Sequence, residues 1–130
     1  MSRIHSRDTS IEVAVRRHLY SLGYRYRLHS DLPGRPDLVF PRYRIAVFVN
    51  GCFWHMHGCR LSVIPSTHRD FWIRKLKGNR ERDSADIKRL TETGWTAVTV
   101  WECEIEENIE KALSPLVSLL QGNQGRHTVQ

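Results

Sequence analysis

A chain of 130 residues, 40 % apolar and 26 % charged, has the size of one domain around one core and the composition of an ordinary soluble globular protein. No stretch reaches the ~18 consecutive apolar residues of a membrane span, and the polar opening MSRIHSRDTS lacks the apolar core of a signal peptide, so a cytoplasmic protein is expected. The net charge of +6 and a pI near 9.7 favour a polyanionic partner, most often nucleic acid, and three cysteines, an odd number, argue against a disulfide framework.

In chain order, DTSIEVAVRRHLYSLGY reads as the first helix. Thr9 and Glu12 match a capping box with Thr9 at the N-cap. Ile11, Val15, Leu19 and Leu22 recur at helical spacing, and Gly23 supplies a stop. YRYRLH alternates and reads as a strand with one polar face. LPGRP (Leu32–Pro36) is a turn or loop, after which DLVF begins a strand at Asp37. PRY turns the chain into RIAVFV (Arg44–Val49), β-rich and central, and so short a turn predicts a hairpin.

Beyond the irregular stretch RLSVIPSTHRD, the segment FWIRKLKGNRERDSADIKRLTETG is charged and helix-forming. Gly78 and Asn79 are expected to split it into a short helix and a longer one. WTAVTVWE (Trp95–Glu102) is the next buried strand. EENIEKALSPLVSLLQ is a last helix, with Pro115 marking a break or a late start, and GNQGRHTVQ reads as a loose tail. The expected organisation is one domain over 1–120 and a flexible tail over 121–130. Its architecture is α/β, a sheet with helices packed on it.

One segment does not behave like an ordinary turn. NGCFWHMHGC (Asn50–Cys59) follows a buried strand yet interleaves soft metal ligands with large aromatics. Zinc takes Cys sulfur and His nitrogen in tetrahedral geometry. Cys52, His57 and Cys59 provide three ligands, and Cys103 supplies a fourth if its strand lies beside Val49–Asn50. The competing reading is three buried thiols acting as small apolar fillers. His55 is either a ligand in place of His57 or a loop histidine. Phe53 and Trp54 are either presented by a metal-closed loop or packed in the core.

Asp37 opens an apolar strand directly after PGRP, a position suited to Mg²⁺, which prefers oxygen ligands and retains waters. The alternative is a carboxylate that satisfies a turn. With Glu12, His55 and the backbone of Val49 beside it, Asp37 would make a hydrolytic site, provided the fold brings them together.

The pieces DTSIE, LPGRPDLVF, FVNGCFWHMHGC, FWIRKL, RDSADIKRL, GW and VWEC run in an order that resembles the very short patch repair endonucleases, the Vsr family. The resemblance covers about Ser2 to Cys103. It implies a restriction-endonuclease-like fold, with a central mixed sheet flanked by helices and a structural zinc site. It also implies a DNA repair activity that nicks on the 5′ side of the thymine in T:G mismatches left by 5-methylcytosine deamination.

Carried over by motif position, Asp37 is the Mg²⁺-binding carboxylate, and the Val49 carbonyl completes a site that takes two Mg²⁺ ions. His55 is the base that activates water, and Glu12 is a supporting acid near the metals. Cys52, His57, Cys59 and Cys103 match one structural zinc site. Phe53, Trp54 and Trp72 match aromatics that wedge into DNA beside the mismatch. The implied partners are double-stranded DNA carrying a T:G mismatch and mismatch-repair proteins, with the enzyme a monomer in the cytoplasm.

Two departures stand out. Some members carry a second histidine where this chain has Asn50, and Asn cannot shuttle a proton near neutral pH. The family often has a DNA-gripping segment before the position of Met1. Two other readings remain beside the mismatch nickase: a related nuclease with no mismatch requirement, and a zinc-stabilised DNA-binding module whose catalysis has decayed.

Overall fold

The structure, a computed structural model, describes residues 2–28, 31–53, 58–59 and 63–129, with side chains described between Ser10 and Gly122 within those ranges. Helix α1 spans Ser2–Ser21. It begins upstream of the expected N-cap, so Thr9 lies inside the helix and not at its start. No Gly or Pro interrupts residues 2–9, and nothing there stops the helix from extending. At its other end Gly23, at φ 96°, adopts the left-handed conformation. This allows the N–H of Tyr24 to reach the Leu19 carbonyl at 3.1 Å and that of Gly23 to reach Tyr20 at 2.9 Å.

The segment after α1 is extended, and among the described residues it joins the sheet through an isolated bridge between Arg27 and Val39, not as the expected strand. Its partner, β1 (Leu38–Phe40), is three residues long and offers little edge to pair with. Strand β2 (Ile45–Asn50) is central. It pairs antiparallel with β1, closing the expected hairpin, and parallel with β3 (Thr96–Trp101). The parallel connection is made by α2 (Arg69–Glu92).

Helix α2 is continuous. Gly78 does not split it, because Leu76 and Leu90 anchor the helix on either side and outweigh the ~1 kcal/mol cost of a helical glycine. Helices α3 (Glu102–Glu107) and α4 (Ile109–Val129) follow β3. The break between them falls at Asn108, not at Pro115. Asn108 has an extended backbone, and its side-chain oxygen accepts the N–H of Lys111 at 3.1 Å, an N-cap for α4. Pro115 sits inside α4, held by the buried Leu113, Leu116 and Leu120, and the helix runs across Gly122 where the sequence suggests a tail.

Alternation along the strands divides the interior into two layers. Leu38, Phe40, Ile45, Val47 and Val49 meet Ile11, Val15 and Leu19 of α1 and Leu113, Leu116 and Leu120 of α4. On the opposite face Val39 and Ala46 meet Leu90 of α2, with Phe48, Trp95 and Ala97 around them. Being covered on both sides, β2 reads as an unbroken apolar run. The result is a three-stranded mixed sheet flanked by helices. Among the described residues, no helix is long and apolar enough to cross a membrane.

Candidate active site and metal centre

Because β2 and β3 are parallel and in register from Ile45↔Thr96 to Asn50↔Trp101, both end at the same edge of the sheet. Each then delivers a cysteine just beyond that edge: Cys52 after β2 and Cys103 after β3. Cys59 joins them, and the three sulfurs lie within 4.8 Å of one another. Tetrahedral ligands about ~2.3 Å from a zinc ion stand ~3.8 Å apart, so little movement separates this cluster from a metal site.

Cys103 donates its backbone N–H to the Cys52 sulfur at 3.3 Å. Burial pushes the Cys52 thiol up to about 12; the N–H of Cys103 opposes this, while Cys59 and the Cys103 side chain reinforce it. Burial also raises the Cys103 thiol. Three crowded thiols are a donor set that a soft cation can deprotonate and hold. His57, the fourth ligand expected from the sequence, lies outside the described residues, as do His55 and Trp54.

The antiparallel partner β1 starts where β2 ends, which brings Asp37 to the same edge. Its backbone N–H donates to the Val47 carbonyl at 2.9 Å, and its Oδ2 accepts the N–H of Val49 at 2.7 Å. In an extended strand a residue's N–H and C=O leave on the same side, so the Val49 carbonyl also faces Asp37. The PGRP loop that presents Asp37 is pressed onto the fold at Gly34. There φ is 78°, and a Cβ would meet Asp86 at 3.0 Å and the Phe48 ring at 3.1 Å.

Asp37, Glu12 and Asp31 line one cleft of about 530 Å³ together with Arg16 and Arg35. The structure thus joins two acids that are far apart in sequence. Glu12 stands 3.7 Å from Arg16, one helical turn away. Asn50 is half-buried at the last position of β2.

Phe53 and Trp72 also come together, ring centres 5.5 Å apart and nearly perpendicular, and Trp72 meets Phe71 at 5.4 Å in the same manner. Phe71 is exposed and extends this aromatic cluster along the start of α2.

Sequence reasoning missed three kinds of residue here. Arg16 and Arg35 belong to the acidic cleft; the four-residue spacing of Glu12 and Arg16 was the available signal. Phe71 was signalled only by its neighbour Trp72. Glu102, 5 % exposed, accepts the N–H of Cys52 at 3.2 Å through Oε1. An acid closing an apolar strand beside a cysteine was its signal.

A helix-covered mixed sheet that gathers three carboxylates and a thiol cluster at one edge is compatible with the α/β nucleases. Residues 1–61 match the family model described as DNA mismatch endonuclease Vsr. The chain is 47 % identical over 108 residues to the type II nicking enzyme V.XorIIP of Xanthomonas oryzae pv. oryzae, covering 82 % of this chain and 79 % of that protein. It is 45 % identical over 106 residues to the DNA mismatch endonuclease Vsr of Escherichia coli, covering 81 % and 68 %. Against the type II nicking enzyme V.NmeAIP of Neisseria meningitidis it is 41 % identical over 107 residues, covering 82 % and 76 %. The chain belongs to the Vsr family of DNA endonucleases.

Proposed function

We propose that this chain is a Mg²⁺-dependent nicking endonuclease that hydrolyses the phosphodiester 5′ of the thymine in T:G mismatches arising from 5-methylcytosine deamination. The observation that carries the reading is the placement of Asp37. Its carboxylate is anchored on the Val49 N–H, shares a cleft with Glu12, and stands at the strand edge that leads into the Cys/His segment.

In this reading Asp37 and the Val49 carbonyl hold Mg²⁺, with Glu12 as a supporting acid. Bound there, the metal would supply charge neutralisation for phosphodiester hydrolysis. His55 takes the proton of the attacking water. Asn50, unable to transfer protons near neutral pH, hydrogen-bonds the water or a phosphate oxygen. Cys52, His57, Cys59 and Cys103 close a structural zinc site that fixes the loop carrying His55. Phe53, Trp54 and Trp72 wedge into the DNA, which costs least where a mispair has already weakened stacking. The fold is of the restriction-endonuclease kind, and the enzyme works in the cytoplasm as a monomer on double-stranded DNA, alongside mismatch-repair proteins.

A second reading, a nickase with no mismatch requirement, draws support from the relatives named only as type II nicking enzymes. Nicking assays on otherwise identical T:G and T:A duplexes, with and without Mg²⁺, separate the two. Mg²⁺-dependent cleavage confined to T:G supports the first, and equal cleavage of both supports the second.

A further inference from the structure

A second groove, of about 360 Å³, lies at the other end of the β1–β2 hairpin from the Asp37 cleft. Arg25 and Arg27 reach it from the extended segment after α1, and Arg42 from the hairpin turn; among the described residues no acidic side chain lines it. All three arginines are exposed. Among the described residues none of them pairs with a carboxylate. Three guanidinium groups thus stand around one groove with no carboxylate beside them among the described residues.

Their arrangement is ordered. Along the extended segment Tyr24 is buried, Arg25 exposed, Tyr26 half-buried and Arg27 exposed, so the two arginines share the outer side about ~6.6 Å apart. The guanidinium of Arg25 lies 4.0 Å from the centre of the Tyr20 ring, which restricts its freedom. The bridge between Arg27 and Val39 fixes the backbone beside β1. The same segment then passes into the acidic cleft at Leu28, where Arg16 and Arg35 also stand. Arg25 and Arg27 therefore lie along the outer edge of the sheet, on the segment that reaches the Asp37 cleft at Leu28.

We propose that this groove is a second DNA contact, in which Arg25, Arg27 and Arg42 hold backbone phosphates of the duplex flanking the cleavage site. The contact is independent of sequence, because guanidinium groups on phosphates position a duplex without reading its bases. It requires that the chain act on DNA, and neither mismatch specificity nor any catalytic assignment enters it.

The test compares wild type with Arg25→Ala/Arg27→Ala/Arg42→Ala and with the matching triple Lys variant. Binding is measured by fluorescence anisotropy across a salt series, on a duplex of about one helical turn (~10 bp) around the mismatch and on one of about three turns. On the long duplex the Ala variant should show a log–log salt slope shallower by about 2–3, since each neutralised phosphate contributes about 0.9. On the short duplex, whose ends lie only ~17 Å from the mismatch, the change in slope should be smaller.

The Lys variant should restore the slope. An unchanged slope on the long duplex overturns the proposal, as does an equal loss on both duplexes or a failure of Lys to restore binding. Should the triple Ala variant fail to fold, Arg42→Glu on the exposed turn is read the same way, with a slope shallower by about 1 or more. The binding arms need no cleavage, so failure of the proposed nicking specificity leaves this result readable.

Discussion

Glu102 accepts the backbone N–H of Cys52 through Oε1 at 3.2 Å, in the interior where β2 and β3 end side by side. This bond ties the start of the Cys/His segment to the first turn of α3, and the Cys103 N–H to the Cys52 sulfur ties it a second time. Glu102→Ala leaves a buried donor without its acceptor and should cost about 1–3 kcal/mol of stability. Glu102→Gln keeps an acceptor oxygen and should recover most of that. Urea unfolding midpoints check both; an Ala variant as stable as wild type would show that the bond contributes nothing.

The thiol cluster leads to a second expectation. Purified protein should carry one zinc per chain, and Cys103→Ala should lose it along with much of the stability, because a closed structural site contributes folding free energy directly. Elemental analysis reads the metal, and thermal melting with and without a chelator reads the linkage. Zinc-free wild-type protein with an unaltered melting temperature would remove the site.

Trp72 packs edge-on against both Phe53 and Phe71. If the cluster is a wedge, Trp72→Ala should weaken binding to a T:G duplex more than to a matched one, by about 1–3 kcal/mol, the worth of one base stacked on an aromatic ring. Titrations of both duplexes decide it. Equal losses would assign the indole to core packing.

With Asn50 at the end of β2, the proposed mechanism gives the proton transfer to His55. His55→Ala should slow nicking about 10²–10⁴-fold at saturating DNA, the usual range for general acid–base catalysis. Asn50→His should raise the rate modestly by adding a proton carrier. Single-turnover rates measure both, and a His55→Ala enzyme as fast as wild type would sink the assignment of the base.

Much of this was legible from local pattern. The β1–β2 hairpin follows from two apolar runs with a tight turn between them, and the neighbouring ends of β2 and β3 put Cys52 and Cys103 together as their shared position after apolar strands implied. What was not legible depended on tertiary balance. Gly78 looks like a helix breaker, yet buried Leu76 and Leu90 hold α2 in one piece. Pro115 looks like the break in the last helix, whereas Asn108 makes it by capping. YRYRLH has strand alternation, but so short a β1 leaves it a single bridge. The pairing of Glu12 with Asp37 in one cleft has no local trace at all, since it arises from α1 packing across the sheet.

The most direct measurement is nicking of a T:G duplex by Asp37→Asn in the presence of Mg²⁺. The amide still offers an oxygen to the Val49 N–H, so the variant should fold, bind DNA and match the wild type in zinc content. It is a poor Mg²⁺ ligand, so cleavage should fall to background. Nicking at a near wild-type rate would contradict the assignment of Asp37 as the metal-binding carboxylate, and with it the catalytic reading of the cleft.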